Sequence, residues 1–489
     1  MVAGASLLQS ILGITTAMRG FTNLTALFGP SLSPRAEIIL PTDANFTGKL
    51  TQRWTDYNTP SYIGAIKPAT EADIQNIVKI AAANKIPFLT TGGGHGISDY
   101  HAFNGLSIDL RNFNSVQLSL SENRLTIGGS VRISQLIQLL YDAGKELPLG
   151  SCECVGIVGA TMGAGISSLQ GVRGLMLDAL ESVRVVTADG KLVEASKTQH
   201  PDLFWAIRGA GSNFGIVTSA TYKVYNASNN KQVMNADFVF SASVNQSFWQ
   251  IMKSFDYTLP SQLALTAVAF YDRVNNQPVI ALNAVFFGPL KEGNRYLSPF
   301  KALNPTRSNI SMISGNHIMD AAFFNFFGND NGACLPNQHI NIYTVGLKQI
   351  DPLIFGSFFT NLTDFWVANP NFQGRLLIQR YPNQAVQAVS DTETAYAYRD
   401  IKTYMNIEGF YTDRGLDNEV NAFVRPARDE FAKTSGFKTL ATYSNYAHGD
   451  EGPEAWYSAQ KLPQLSALKR KWDPDQLFSW NNPVPLQWA

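Results

Sequence analysis

Cysteine is scarce in this chain: Cys152, Cys154 and Cys334 are the three among 489 residues. An odd trio is too few for a disulfide framework. The C-x-C spacing of the first two is neither a C-x-x-C redox motif nor half of a zinc site. The six histidines show no H-x-x-x-H or H-E-x-x-H spacing, so no metal is expected. Excess charge is also missing, with 38 Lys and Arg against 38 Asp and Glu, which removes the basic field that nucleic acid requires. No apolar run reaches the ~20 residues of a membrane span. At 45% apolar and 16% charged, the sequence describes a folded globular protein. Its length implies two or three units rather than one core. Small-molecule work is the class that remains.

The N-terminus leaves the compartment open. The stretch "GASLLQSILGITTA" is mildly apolar, but no Lys or Arg precedes it, so a secretory signal is poorly formed. Sequons at Asn23, Asn45, Asn226, Asn245, Asn309 and Asn361 permit secretion without requiring it.

Glycine, by contrast, is plentiful and clustered. Thr70 and Asp73 predict a capped helix over "EADIQNIVKIAAAN", with Ile74, Ile77, Val78 and Ala81 as its apolar stripe. After Pro87, "FLTT" reads as a strand running straight into "GGGHG", residues 92 to 96. "LSIDLRNF" and "RLTIGG" read as further strands, and "ISQLIQLLYDAG" as a helix stopping at Gly144. "SVRVVTADGKLVEA" predicts a hairpin turning at Asp189-Gly190. "PDLFWAIRG" predicts a short helix ended by Gly209, with the strand "FGIVTSATYKVY" after it.

A second glycine loop, "LGSCECVGIVGATMGAGISSLQG", holds Gly150, Gly156, Gly159, Gly163, Gly165 and Gly171. Such loops free backbone N–H groups that cradle a pyrophosphate. Neither a P-loop nor G-x-G-x-x-G is present, which excludes the Rossmann reading. The composition turns polar at "NASNNKQ". Beyond it, "ADFVFSAS", "ALTAVAFYD" and "PVIALNAVFFG" alternate, with helical "NQSFWQIMKSF" between the first two. Strands without a βαβ rhythm predict an antiparallel sheet with helices on one face. The last sixty residues are helical again.

Three features occur in order: G-G-G-His-G after a strand, Cys-x-x-Val-Gly on a second loop, then "DLFWAIRGAGSNFGIVT". With "YSNYAHGDEGPEAWY" and "LKRKWDPDQLFSWNNP" near the end, they resemble the FAD-linked oxidases of the berberine-bridge-enzyme type, of the fungal secondary-metabolism branch. The resemblance runs from about residue 56 to 226 and resumes at about 440. It implies an α+β fold: a PCMH-type FAD-binding domain of two subdomains over 56–228, and an antiparallel-sheet substrate domain over 229–439. A 1–55 extension precedes them, and a 440–489 segment returns to the FAD domain.

The resemblance further implies FAD bonded through His95 and through Cys152. The cradle is formed by Gly92, Gly93, Gly94, Gly96, Gly156, Gly159, Gly163, Gly215, Ile216, Val217 and Asn482. Val155 borders the O2 pocket, Ala160 stands where relatives often carry a histidine, and Cys154 is expected to be a small packed residue. At the family's glutamate base the chain has Ala388, so the base falls to Tyr446 of the Asn445-Tyr446 pair, with Arg399 as the cation that would favour its phenolate. Aromatics of "AAFFNFFGND" (321 to 330), Trp366, Tyr396 and Tyr398 suit a hydrophobic substrate. The implied reaction is a two-electron oxidation by a monomer, with O2 as acceptor and H2O2 as product. A flavin-containing cyclase or isomerase without net oxidation, or a non-enzymatic binder, are the alternatives.

Overall fold

One partly parallel sheet and larger antiparallel sheets build the molecule. The computed structural model describes residues 24–326 and 334–488. The apolar leader-like stretch, Asn23 and positions 327–330 of the aromatic segment lie outside the described residues. Within them, no helix is long and apolar enough to cross a membrane.

The N-terminal half holds a four-stranded and a five-stranded sheet. The first runs Glu37–Ile39, Ser61–Lys67, Asn104–Asp109, Phe88–Thr91, with its last three strands parallel. Helix Glu71–Ala83 covers it. A capping box at Thr70 and Asp73 starts this helix, and Ile74, Ile77, Val78 and Ala81 are its buried face. The second runs Val116–Ser119, Arg124–Gly128, Ile216–Lys223, Leu180–Val186, Leu192–Ser196 and is antiparallel throughout. Its last two strands form the hairpin around Asp189-Gly190. Helix Pro201–Ala210 loses helical geometry at Arg208 and Gly209. The polar stretch after Asn226 is shorter than its composition implies, because strand pairing resumes at Gln232.

A seven-stranded antiparallel sheet follows, in the order Arg307–Ser314, Gln232–Ser241, Gln277–Phe286, Leu263–Asp272, Arg375–Arg380, Thr403–Phe410, Ile340–Leu347. Because side chains alternate across a strand, its two faces do different work. Leu265, Ala267, Ile280, Leu282, Leu376 and Ile378 pack with Trp249, Phe355 and Phe431 from helices Asn245–Ser254, Pro352–Ala368 and Asp417–Thr434. The intervening residues Ala264, Thr266, Val268, Ala281, Asn283, Leu377 and Gln379 face a cavity shared with the glycine loops. Helix Pro453–Trp472 then packs on helix Pro201–Ala210. The terminal segment is tied down where Tyr457 and Asn213 both donate to the carbonyl of Asn482.

Candidate functional site

Strand Phe88–Thr91 delivers the chain into Gly92–Gly96, and the second loop arrives against its back. A β-carbon on Gly93 would lie 2.4 Å from the Gly156 amide nitrogen, so only glycine lets the loops meet. At Gly163 a β-carbon would fall 2.1 Å from Asn445 Oδ1, which fixes the C-terminal segment against the second loop. Asn445 completes that tie by donating to the Ala160 carbonyl at 2.8 Å and to the Tyr443 hydroxyl at 2.8 Å. A cavity of about 1670 Å³ opens between these loops and the sheet. It exceeds the ~300–1,000 Å³ of a single-ligand pocket, leaving room for a cofactor and a substrate together. Every cofactor-side position expected from the sequence lines it, and so do Asn445 and Tyr446.

His95 and Cys152 converge in this cavity, with donor atoms within 4.8 Å of each other and of Cys154. Trp54 stacks on the His95 ring at 5.4 Å. Burial, then Arg132 and Arg53, push the imidazole down to about 4, so it stands neutral with a free lone pair at pH 7. Burial pushes the Cys152 thiol up, with Glu153 and Glu408 adding to it.

Cys154 is not the simple packed residue expected from the sequence. It forms a disulfide with Cys334, 180 residues on, which fastens the second glycine loop to the segment leading into strand Ile340–Leu347. Cys152 Sγ stays free, 3.4 Å from Cys154 Sγ. Spacing could not reveal this bond, because only the fold brings residue 334 back to the loop. Cys334→Ser is expected to cost about 2–5 kcal/mol of stability, read as a lower urea midpoint at unchanged slope.

On the opposite wall, the Tyr446 hydroxyl donates to Gln379 Oε1 at 3.0 Å, and Gln379 in turn donates to the Tyr381 hydroxyl and to Ser151. Burial first, then Tyr443, Tyr381 and Glu408, hold Tyr446 well above its usual range as a neutral phenol. The cation expected beside it is elsewhere. Arg399 is buried, bonded to Asp178 at 2.8 Å, to Thr394 and to the Val386 carbonyl, and does not line the cavity. A carboxylate partner for that arginine, distant in sequence, is what drew it away.

Ala388 ends the short helix Gln384–Ala388, is exposed, and lies off the cavity. Among the carboxylates that line the cavity, Glu408 of strand Thr403–Phe410 is one that sequence reasoning missed. Alternation along "TYMNIEGF" was the signal available: Glu408 shares a face with Tyr404 and Asn406. Tyr396 and Tyr398 are core residues outside the cavity wall, whereas Trp366, buried with its indole N–H on the Gly374 carbonyl, borders the cavity. Phe323, Phe324 and Phe326 do line the cavity.

A dinucleotide-sized ligand fits this donor set. Asn482 Oδ1 is buried at the cavity wall without a hydrogen-bond partner, an acceptor awaiting a hydroxyl or amine. Paired glycine loops, a neutral imidazole and a free thiol at one end of a long cleft define a flavin-binding oxidoreductase. The family comparisons agree. Residues 63–196 match the FAD binding domain model, and residues 442–485 the model for berberine and berberine-like proteins. The chain is 62% identical to the FAD-linked oxidoreductase tazG of Aspergillus terreus, over 100% of its own length and 99% of that protein. It is 47% identical to the FAD-linked oxidoreductase azaL of Aspergillus niger, over 95% and 99% respectively. In fold it resembles Physcomitrella patens BBE-like 1, with a TM-score of 0.83 at 21% identity over 95% of this chain and 100% of that one. It also resembles an Acremonium strictum glucooligosaccharide oxidase whose structure is described as revealing a novel flavinylation, with a TM-score of 0.82 at 20% identity over 95% and 98%. The chain belongs to the berberine-bridge-like family of FAD-linked oxidoreductases, and its cofactor is FAD.

Proposed function

We propose that this enzyme is an oxidase that removes two electrons from a largely apolar small molecule of secondary metabolism and passes them to O2, giving H2O2. The observation that carries this reading is the convergence of His95, Cys152 and Val155 on one cavity, opposite a mostly apolar sheet face. Bound there, FAD supplies hydride acceptance and reoxidation. His95, neutral and stacked on Trp54, is the residue we assign to hold it covalently, with Cys152 as the second attachment. The glycine loops and Asn482 grip its polar length. Val155, half-buried on the loop that carries Cys152, leaves a small apolar space for O2. Sheet residues Val268, Ala281 and Leu377 exclude water from the substrate's flanks, and Tyr446 and Gln379 orient its reacting oxygen.

The neutral state of Tyr446 favours one second reading. A phenol held by Gln379 donates a proton more readily than it accepts one, which suits a cyclisation or isomerisation without net oxidation. Anaerobic photoreduction of the purified holoenzyme followed by admission of air separates the two. An oxidase recovers its flavin absorbance within seconds and releases one H2O2 per flavin. Reoxidation over many minutes without stoichiometric peroxide overturns the oxidase reading.

A further inference from the structure

One stretch of the cavity wall is held in a conformation that its residues resist. Helix Ile318–Asn325 loses helical geometry at Ala322, Phe323 and Phe324. Phe323, Phe324 and Asn325 stand consecutively in the left-handed region, at φ of 52°, 59° and 66°. That region strains bulky side chains, and such strain persists only where the surroundings over-determine it. Here a buried carboxylate does so. Asp237, on strand Gln232–Ser241, accepts from the Phe323 amide at 2.8 Å, from Asn235 Nδ2 at 2.8 Å and from Asn283 Nδ2 at 2.7 Å. The Phe324 amide is its fourth donor, and burial still pushes the carboxyl up, since no cation among the described residues offsets it. A charge kept in so unfavourable a place serves the segment that it holds.

The two phenylalanines are used differently. Phe323 is 8% exposed and packs with Val268 and Ala281 on the sheet, so it seats the segment. Phe324 is half-buried and lines the cavity. Its one ring partner among the described residues is the Arg307 guanidinium, 3.9 Å from the ring centroid. A ring has two faces. A cation on one draws π-density toward itself and leaves the other better suited to an electron-rich ring.

Resting on the reading of this cavity as a substrate pocket, we propose that Phe324 is a stacking platform for an electron-rich aromatic ring of the substrate, with Asp237 and Phe323 as its positioning residues. Val268 stands on the strand next to that of Gln379, and Ala281 on the strand beyond it. The segment is therefore seated about 5–10 Å across the sheet from the residue that holds Tyr446, at ~4.8 Å per strand. Fused rings bridge that span, so the stacked ring is fused or conjugated to the part that reacts. The substrate class is a hydroxylated fused-ring arene. A saturated skeleton of the same size fills the space without the ring–ring contact.

Titration of the holoenzyme with 2-naphthol and with its saturated counterpart decahydro-2-naphthol, followed by the flavin absorption band and by calorimetry, tests this. The ratio of the two affinities is compared between wild type and Phe324→Leu, which keeps apolar bulk and removes the ring. The wild-type ratio is expected to exceed that of the variant about 2–12-fold, the worth of one aromatic pair. Asp237→Asn retains Phe324 but sets an amide N–H against the side-chain donors of Asn235 and Asn283. It should bring the ratio down to that of Phe324→Leu, whereas a merely structural role would weaken both probes alike. Flavin content and far-UV circular dichroism report the folding of each variant, and should Asp237→Asn not fold, Phe324→Leu decides alone. A ratio unchanged in folded Phe324→Leu, a ratio preserved in folded Asp237→Asn, or binding of neither probe overturns the assignment. Calorimetric binding that leaves the flavin band unmoved overturns the substrate-pocket reading and the platform with it. Peroxide release on reoxidation of the same preparations reports the oxidase reading separately.

Discussion

Replacing His95 and Cys152 together by alanine is expected to move the yellow colour of an acid-precipitated sample from the pellet to the supernatant, while the wild type keeps it in the pellet. Each single variant should retain the colour in the pellet, because the other side chain still reaches the same cavity within 4.8 Å. The attachment step should also carry a pH signature in apoprotein supplied with FAD. Protonation occupies the imidazole lone pair, and burial holds His95 down at about 4. Attachment in Cys152→Ala is therefore expected to be flat from pH 8 to about 5. Below about 4 it should fall tenfold per pH unit, because the neutral fraction does so. Attachment that instead declines through pH 6 to 7 would mean that the imidazole titrates as an exposed one does. Colour in the wild-type supernatant would mean that neither residue bonds the cofactor.

The second large effect lies far from the chemistry. Lys469 and Asp473 form an ion pair 2.6 Å apart with both side chains fully buried. Lys469 Nζ also donates to the carbonyls of Asn213 and Phe478, and Asp473 accepts from the amides of Leu477 and Phe478. This network fastens the C-terminal segment to the loop that precedes Gly215. Lys469→Met removes one partner and strands a buried carboxylate, so a loss of about 3–5 kcal/mol is expected, measured by urea unfolding of the holoenzyme. Adding Asp473→Asn neutralises the stranded charge and should recover part of the loss. A Lys469→Met protein within about 1 kcal/mol of wild type would show that water reaches the pair.

The redox state of the loop adds a constraint of its own. Cys152 is free beside the Cys154–Cys334 disulfide, so reducing or removing that bond frees a second thiol next to the position assigned to flavin attachment. Alkylation mapping of Cys334→Ser is the direct way to see which thiol the flavin then meets.

The sequence by itself determined the local elements and the cofactor end of the site. A capping pair at Thr70 and Asp73, an Asp-Gly turn and period-two alternation are short-range signals, and each is written in a few adjacent residues. The two glycine loops were legible for the same reason, since His95 and Cys152 sit within continuous motifs. Only the tertiary structure decided the substrate end. Arg399 was drawn to Asp178 across 221 residues, Cys154 to Cys334 across 180, and Tyr446 to Gln379 across 67. Glu408, not the position of Ala388, came to face the cavity because strand register put it opposite Arg375. Pairings at that separation are set by how sheets register and pack. A charged side chain takes the partner that the fold brings within about 3 Å, and no local pattern along the chain specifies which one that is.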